Sequence, residues 1–420
     1  MISAQNRLLP LSGNKWLLLL CVMVAMAGCS PKIKPASTPA QKDVEYKPKV
    51  QAPVKQDQAN QSPAAPNVSV VSMILPFSLN KLGTGYSAAQ LAQANISVDY
   101  YQGFKMALDS LTASGYNYDL HIYDSQGLPA QSHSLAYNAQ IRASNLIVGP
   151  VFPEDLKAFT DVLTSARSPI VSPLSAIAPS KIKNQNLVTV IPPLEYHTKT
   201  AAEYVVSKLK PKKIFILSSG FSEENEYISY FKRSVDSLTQ KKMAVIKSTV
   251  SRGDLSLLMP QLSLTGQNVF VIPSTNQQFL MVTLSALEKI SASYPITLLG
   301  HPNWQKFSFL KTEQLQNLNT YITNADRVDY KAAATVTFLR HYRKVYKAEP
   351  TEYAIKGFDE GFYFGKLLAN STVNIASSME NTDYTGIHNG FHFVKLRGLG
   401  WVNTNVNVLS YSNFELKRVE

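Results

Sequence analysis

The sequence predicts an α/β protein whose body is two doubly wound lobes. Three observations carry that prediction. From Val68 onward, short apolar runs alternate with amphipathic helical runs. The short runs are almost continuously apolar, as parallel strands covered on both faces are. The alternation halts at Val190-Ile191-Pro192-Pro193 and then resumes, which divides the body into two runs of similar rhythm. No short-period repeat underlies it.

The first run opens with Val68-Ser69-Val70-Val71-Ser72-Met73-Ile74-Leu75, a strand stopped by Pro76. Tyr101, Phe104, Met106, Ala107, Leu108 and Leu111 fall near helical spacing and predict a helix over 98–114. A strand over 120–124, a helix over 131–144, a strand over 146–148 ending in Gly149-Pro150, a helix over 154–165 and a strand over 169–172 follow. The second run predicts helices over 196–209, 224–238 and 277–290. Its strands fall at 214–217, 244–248, 268–272 and 296–299.

In open parallel sheets, ligands bind beyond the carboxyl ends of the strands. In the first run those ends carry Phe77, Ser78, Asp124, Ser125, Phe152, Ser172 and Ser175. In the second they carry Ser219, Phe221, Ser274, Thr275, His301 and Trp304. Hydroxyls and helix amino termini suit a carboxylate or another small polar group. The same Ser, Thr and Asn residues also suit helix capping. Asp124 suits the capping of the turn that follows it, and Phe221 and Trp304 suit either ligand stacking or ordinary core.

The amino terminus reads as an export signal. Residues 1–15 carry Arg7 and Lys15 and no acid, and Trp16 to Ala25 is an apolar core too short to span a bilayer. It leads into Met26-Ala27-Gly28-Cys29, which resembles a bacterial lipobox with Met26 in place of the usual Leu. The reading is a signal peptide over 1–28 and a lipid on Cys29; an ordinary signal peptide with an incidental Cys is the alternative. Residues 29–67 are rich in Pro, Ala, Gln, Lys and Ser, a composition that cannot bury enough apolar surface to offset ordering entropy. They read as a disordered tether that holds the body away from its membrane.

Composition narrows the function classes. The chain has 420 residues and a formal net charge of +12, but no arginine stripe of the kind that tracks nucleic acid. The charge reads as a solvated basic surface, with at most a weak pull toward anionic lipid or acidic wall polymers. Cys21 and Cys29 are the only cysteines, so the body can hold no disulfide, thiolate nucleophile or Cys-ligated metal.

A family resemblance runs through the body. Ile74-Leu75-Pro76-Phe77, Tyr100-Tyr101-Gln102-Gly103-Phe104-Lys105-Met106-Ala107 and Ile122-Tyr123-Asp124-Ser125 resemble the start of type I periplasmic binding proteins, the receptors of the leucine/isoleucine/valine-binding type. Ile147-Val148-Gly149-Pro150 and Ile170-Val171-Ser172-Pro173-Leu174-Ser175 match the next stations in order. Tyr353-Ala354-Ile355-Lys356-Gly357-Phe358-Asp359-Glu360-Gly361 resembles the late helix that returns to the first lobe. The resemblance covers residues 68–420. It implies two Rossmann-like lobes joined by three hinge crossings, near Ile191, Asn324 and Met379. Lobe 1 is then 68–191 with 324–378, and lobe 2 is 192–323 with 379–420. The tail from Gly390-Phe391-His392-Phe393 through Val408 is expected to close the second lobe. Amino-acid receptors of this kind hold the ligand's carboxylate and amine with hydroxyls after the third and fourth strands. This chain has Val151-Phe152-Pro153 at the first of those stations, and Ala176 beside Ser172 and Ser175 at the second. That departure argues against a free amino acid. The chain is similar also to the outer-membrane lipoproteins of the same fold that activate penicillin-binding proteins.

Catalytic signatures are missing. There is no G-x-S-x-G elbow and no phosphate-binding P-loop. His388 and His392 flank Gly390 in a strand-like stretch, which disfavours a metal pair. Asp359 and Glu360 are adjacent on a predicted helix and read as a solvated pair, since neighbours do not share a helix face.

The expectation is a non-enzymatic, membrane-anchored solute-binding lipoprotein without cofactor or metal. It captures a small polar ligand between its lobes for an ABC-type permease or a sensor. The alternative is a regulator or scaffold of envelope proteins, such as a peptidoglycan synthase. The body is placed in the periplasm, with the anchor in the outer membrane or the outer face of the inner membrane. Replacing Cys29→Ala is expected to release the chain from washed membranes into the soluble fraction; retention in the membrane pellet at high salt contradicts the anchor.

Overall fold

A computed structural model describes residues 68–81, 85–164, 168–370, 375–388 and 390–419. The residues read as signal peptide, Cys29 and tether lie outside the described residues. Among the described residues, sixteen strands form two seven-stranded sheets and one small hairpin.

The first sheet contains β1 (Val68–Leu75), β2 (Asn117–Asp124), β3 (Leu146–Val148), β4 (Ile170–Ser172) and β5 (Leu187–Thr189). The second contains β6 (Lys213–Ser218), β7 (Ala244–Thr249), β8 (Asn268–Ile272), β9 (Ile296–Gly300) and β10 (Thr320–Asn324). β11 (Tyr384–Thr385) and β12 (Gly390–Phe391) make the hairpin. The tail supplies β13 (Phe393–Leu396), β14 (Gly400–Asn403), β15 (Asn407–Ser412) and β16 (Glu415–Arg418). The first sheet runs β13-β14-β5-β4-β3-β1-β2 and the second β16-β15-β10-β9-β8-β6-β7. Each therefore has a parallel core in the doubly wound order 2-1-3-4-5, extended at one edge by a strand pair. The parallel cores of the two lobes repeat one strand order although their sequences show no short-period repeat.

The tail corrects one expectation. Phe393–Leu396 and Gly400–Asn403 close the first lobe, not the second, because Trp401 and Val402 pair in parallel with Val188 and Thr189 of β5. Phe391, Phe393 and Trp401 are buried in the first core against Tyr363 and Phe364. Only β15 and β16 join the second sheet, where β15 runs antiparallel to β10. The chain thus passes between the sheets after β5, after β10 and after Asn403, the third passage lying well beyond Met379. Asn403 fastens the first and third passages together. Its amide donates to the Val190 and Gly390 carbonyls at 2.9 Å, and its oxygen accepts from the His392 and Asn405 amides at 3.0 Å.

Local chemistry explains where other boundaries shift. The first helix begins at Ala88 rather than 98, because Ser87 and Gln90 form a reciprocal capping box ahead of a polar, exposed first half. The segment 131–144 is two helices, Pro129–Leu135 and Ala139–Ala143, since Asn138 accepts from Gln140 and Ile141 and starts the second.

Helix Glu352–Asn370 lies hard against helix Ala88–Thr112. A Cβ at Gly103 would overlap the Ala354 carbonyl, and one at Gly357 the Tyr100 carbonyl. Both sites need glycine for close backbone approach. Asp359 and Glu360 are fully buried at this seam, so the solvated pair is corrected. Asp359 accepts from the Ile387 and His388 amides at 2.9 and 2.7 Å, and Glu360 from the Tyr100 hydroxyl at 2.8 Å. Burial drives Glu360 well above its ordinary carboxylate range, against the lowering effect of the Tyr100 hydrogen bond.

Gly357→Ala is expected to lower stability by about 1–3 kcal/mol through overpacking, despite the helix propensity an alanine adds. A melting temperature equal to that of the parent protein would show that the seam is not close-packed.

Candidate functional site

A cavity of about 470 Å³ opens where the chain passes between the lobes. Its walls come from both sheets. Leu174 and Ala176 follow β4, Ile191 and Pro192 form the first passage, and Asn324 to Asp326 form the second. His301, Asn303 and Gln305 follow β9, His197 comes from helix Leu194–Tyr204, and Glu352, Tyr353 and Lys356 come from the first turns of the seam helix.

Lys356 is the charged centre. It is 8% exposed, 2.9 Å from Asp326 and 3.6 Å from Glu352. Burial opposes its charge, but the two carboxylates outweigh burial and hold the ammonium above its ordinary range. His388, 3.8 Å from Glu352, and Lys356 hold Glu352 down at about 2. The ligand atoms of Asp326, Glu352 and His388 lie within 4.8 Å of one another, close enough to share a cation. The Lys356 ammonium already supplies positive charge there.

Two further histidines, His197 and His301, line the chamber. Burial lowers both His197 and His301 to about 4, so both are neutral imidazoles at neutral pH. The His197 Nδ1 lies 3.1 Å from the Thr323 hydroxyl, and the His301 Nδ1 accepts from the Asn303 amide at 3.1 Å. The Asn324 amide donates to Gln305 at 2.7 Å. The chamber therefore offers donors and acceptors in a balanced field, with Lys306 and Lys356 facing Asp326 and Glu352.

Of the residues singled out in the sequence, His301 lines this chamber. Phe152 lines a second, smaller cavity beside it. Asp124 is a loop clamp: it accepts from the Ser78, Leu79 and Gln126 amides at 3.0, 2.7 and 2.8 Å. Phe77 and Trp304 are core, and the Trp304 indole donates to the Ser274 carbonyl at 2.9 Å. Ser219 donates to the buried Glu224, through its amide at 2.9 Å and its hydroxyl at 2.5 Å. Ser125 and Ser274 cap the turns that follow them. Ser172 is buried, and its hydroxyl has no partner among the described residues. Ser175 is half-buried, while Thr275 and Phe221 are exposed. The chamber residues that sequence reading passed over are His197, Asp326, Glu352 and Lys356. One signal was available: Lys356 is a lone cation between Ile355 and Gly357 in an otherwise apolar stretch.

Both histidines bind protons more weakly folded than unfolded. Their contribution to stability is therefore complete above about pH 6.5 and is lost as pH falls toward about 4. His197→Gln is expected to flatten this acid limb. The check is urea unfolding at about pH 7 and about pH 4.5, and an unchanged slope between them would contradict a neutral buried His197.

A periplasmic binding protein family model matches residues 92–398. No curated protein matches the chain in sequence. Among solved structures, an ABC transporter substrate-binding protein from Desulfitobacterium hafniense is similar at 14% identity with TM-score 0.55, and its complex with Leu at TM-score 0.53. In both cases 84% of this chain and 100% of that chain are covered. An ABC transporter substrate-binding protein from Sphaerobacter thermophilus is similar at 14% identity with TM-score 0.51, over 84% of this chain and 98% of that one. At such identities the likeness is one of fold, but the family match spans most of the body and follows the same two-lobed topology: the chain belongs to the type I periplasmic binding protein family.

Proposed function

We propose that the protein is a non-enzymatic solute receptor that closes its two lobes on a small polar ligand in the chamber around His301 and Lys356. The observation that carries this reading is the chamber itself. It draws walls from both lobes and from two of the passages between them, at the carboxyl ends of β4, β9 and β10. A ligand that touches both lobes gains contacts only when they approach, which is the physical basis of hinge closure. The solved relatives described as ABC transporter substrate-binding proteins support delivery to a membrane transporter. With a lipid on Cys29 and a tether over 29–67, the receptor would work from the membrane surface in the periplasm. No helix among the described residues is long and apolar enough to cross a membrane.

A second reading, a regulator of envelope proteins such as a peptidoglycan synthase, draws on a different feature. A larger cavity of about 670 Å³ lies on the first lobe, away from the chamber. Met106, Phe338, Phe358, Phe362 and Tyr384 give it an apolar, aromatic lining suited to a protein side chain.

Native mass spectrometry of the full chain, followed by melting with amino acids, peptides, amides and muropeptides, separates the two. A ligand at 100 times its Kd stabilises the fold by about 2.7 kcal/mol. Asn303→Ala is expected to weaken binding roughly fivefold with unchanged melting of the free protein. Binding that ignores Asn303, or no binding across the panel, would favour the regulator.

A further inference from the structure

We propose that the second lobe docks an acidic amphipathic helix of a partner protein, in a groove between helix Gln277–Ser291 and residues 252–259. The groove shares no wall with the chamber, so the inference adds a protein-binding surface whatever the chamber holds.

A comparison of the two lobes shows where the groove comes from. Their parallel cores have the same strand order, so the β2 to β3 crossover of the first lobe corresponds to the β7 to β8 crossover of the second. In the first lobe that crossover is helical. Helices Pro129–Leu135 and Ala139–Ala143 fill it, and Pro129–Leu135 packs on helix Pro153–Val162. In the second lobe it is a run of turns with one short helical turn at Met259–Gln261. Helix Gln277–Ser291 is the counterpart of Pro153–Val162 and has these turns, not a helix, beside it.

The turns leave apolar side chains uncovered. The groove measures about 620 Å³, and Leu255, Met259, Met281, Val282, Ala286 and Ile290 give it an apolar lining. Met281 and Val282 are about half exposed, and Leu257 of the same segment is 83% exposed. Val282, Ala286 and Ile290 stand four apart and form one ridge along the helix. From Met281 to Ile290 that wall runs roughly 14 Å, about two and a half helical turns. A second helix laid alongside fits such a ridge. None of the lining residues belongs to a strand, so a partner strand would find no ladder to join. A flat bilayer would rest on the rim and leave the half-buried Ala286 and Ile290 uncovered.

Charge selects the partner's sign. Arg252 and Lys289 line the groove, both exposed and neither paired with an acid among the described residues. Asp254, an acid in the same wall, accepts from the Ser256 amide at 2.9 Å. Glu288, beside Lys289 in sequence, accepts from the Gln314 side chain at 2.8 Å. Two cations against one carboxylate leave positive charge at an apolar groove. Acidic residues flanking the apolar stripe of a partner helix would meet it, and rim charges of this kind steer and select partners.

The test uses the full chain in its own cells. Benzoylphenylalanine is placed at Ser285 in the groove wall or, as control, at Ser229, which is exposed on helix Glu224–Thr239. After illumination, the cross-linked segment is mapped by mass spectrometry. The expected adduct forms from Ser285 and not from Ser229. It joins a helix of another protein that has apolar residues three and four apart, with Asp or Glu beside them. Arg252→Glu with Lys289→Glu is expected to cut its yield roughly tenfold, while Arg252→Lys with Lys289→Arg keeps it. Should the double reversal melt below the parent protein, Lys289→Glu alone is expected to cut the yield roughly threefold. The proposal is overturned by a yield no higher than at Ser229, or by adducts to lipid alone or to a second copy of this chain. A basic or strand-forming segment at the cross-link overturns it too, as does a yield that survives charge reversal.

Discussion

The close approach of two helix backbones governs the rest of the structure. Gly103 and Gly357 let helices Ala88–Thr112 and Glu352–Asn370 meet at a distance no larger side chain allows. Burial at that contact carries two acids with it, and they are held by different partners. Glu360 accepts from Tyr100 and is pushed upward by burial, while Asp359 keeps two backbone amides of the 384–388 segment in place. A buried carboxylate is tolerated only when such donors converge on it. The seam thus fixes the register of the second helix, and its first turns hold Glu352, Tyr353 and Lys356.

From that fixed helix the chamber follows. Lys356 reaches Asp326 in the second passage, and Asn403 joins the first passage to the third. Directional hydrogen bonds and one buried ion pair thus tie these passages in place. His197 and His301 are neutral there and line the chamber with hydrogen-bonding groups rather than charge.

Much of the fold was legible in the sequence because buried parallel strands are nearly continuous apolar runs. β3 and β8 have the limits that the apolar runs gave them. The tail was not legible. Gly400-Trp401-Val402-Asn403 is a short strand with only two apolar residues, and nothing local says that its partner is Val188. Pairing across more than 200 residues is a property of packing, not of periodicity. The candidate site was legible only in part, for a related reason. Ser219, Asp124 and Ser274 stand at strand ends as binding residues do, but their hydrogen bonds go to the loops themselves. Lys356 and Asp326 lie 30 residues apart, and no spacing rule connects a helix cation to a loop acid. The absence of a hydroxyl at Val151-Phe152-Pro153 was legible, and the small cavity that Val151 and Phe152 help to wall was not.

The most direct measurement is a structure of the full chain with the ligand it retains from its own cells. The account predicts one small molecule in the chamber, touching His301 and Asn303 from one lobe and Tyr353 from the other. A molecule found instead in the aromatic groove between Phe338 and Phe362, with only water beside Lys356, would contradict it.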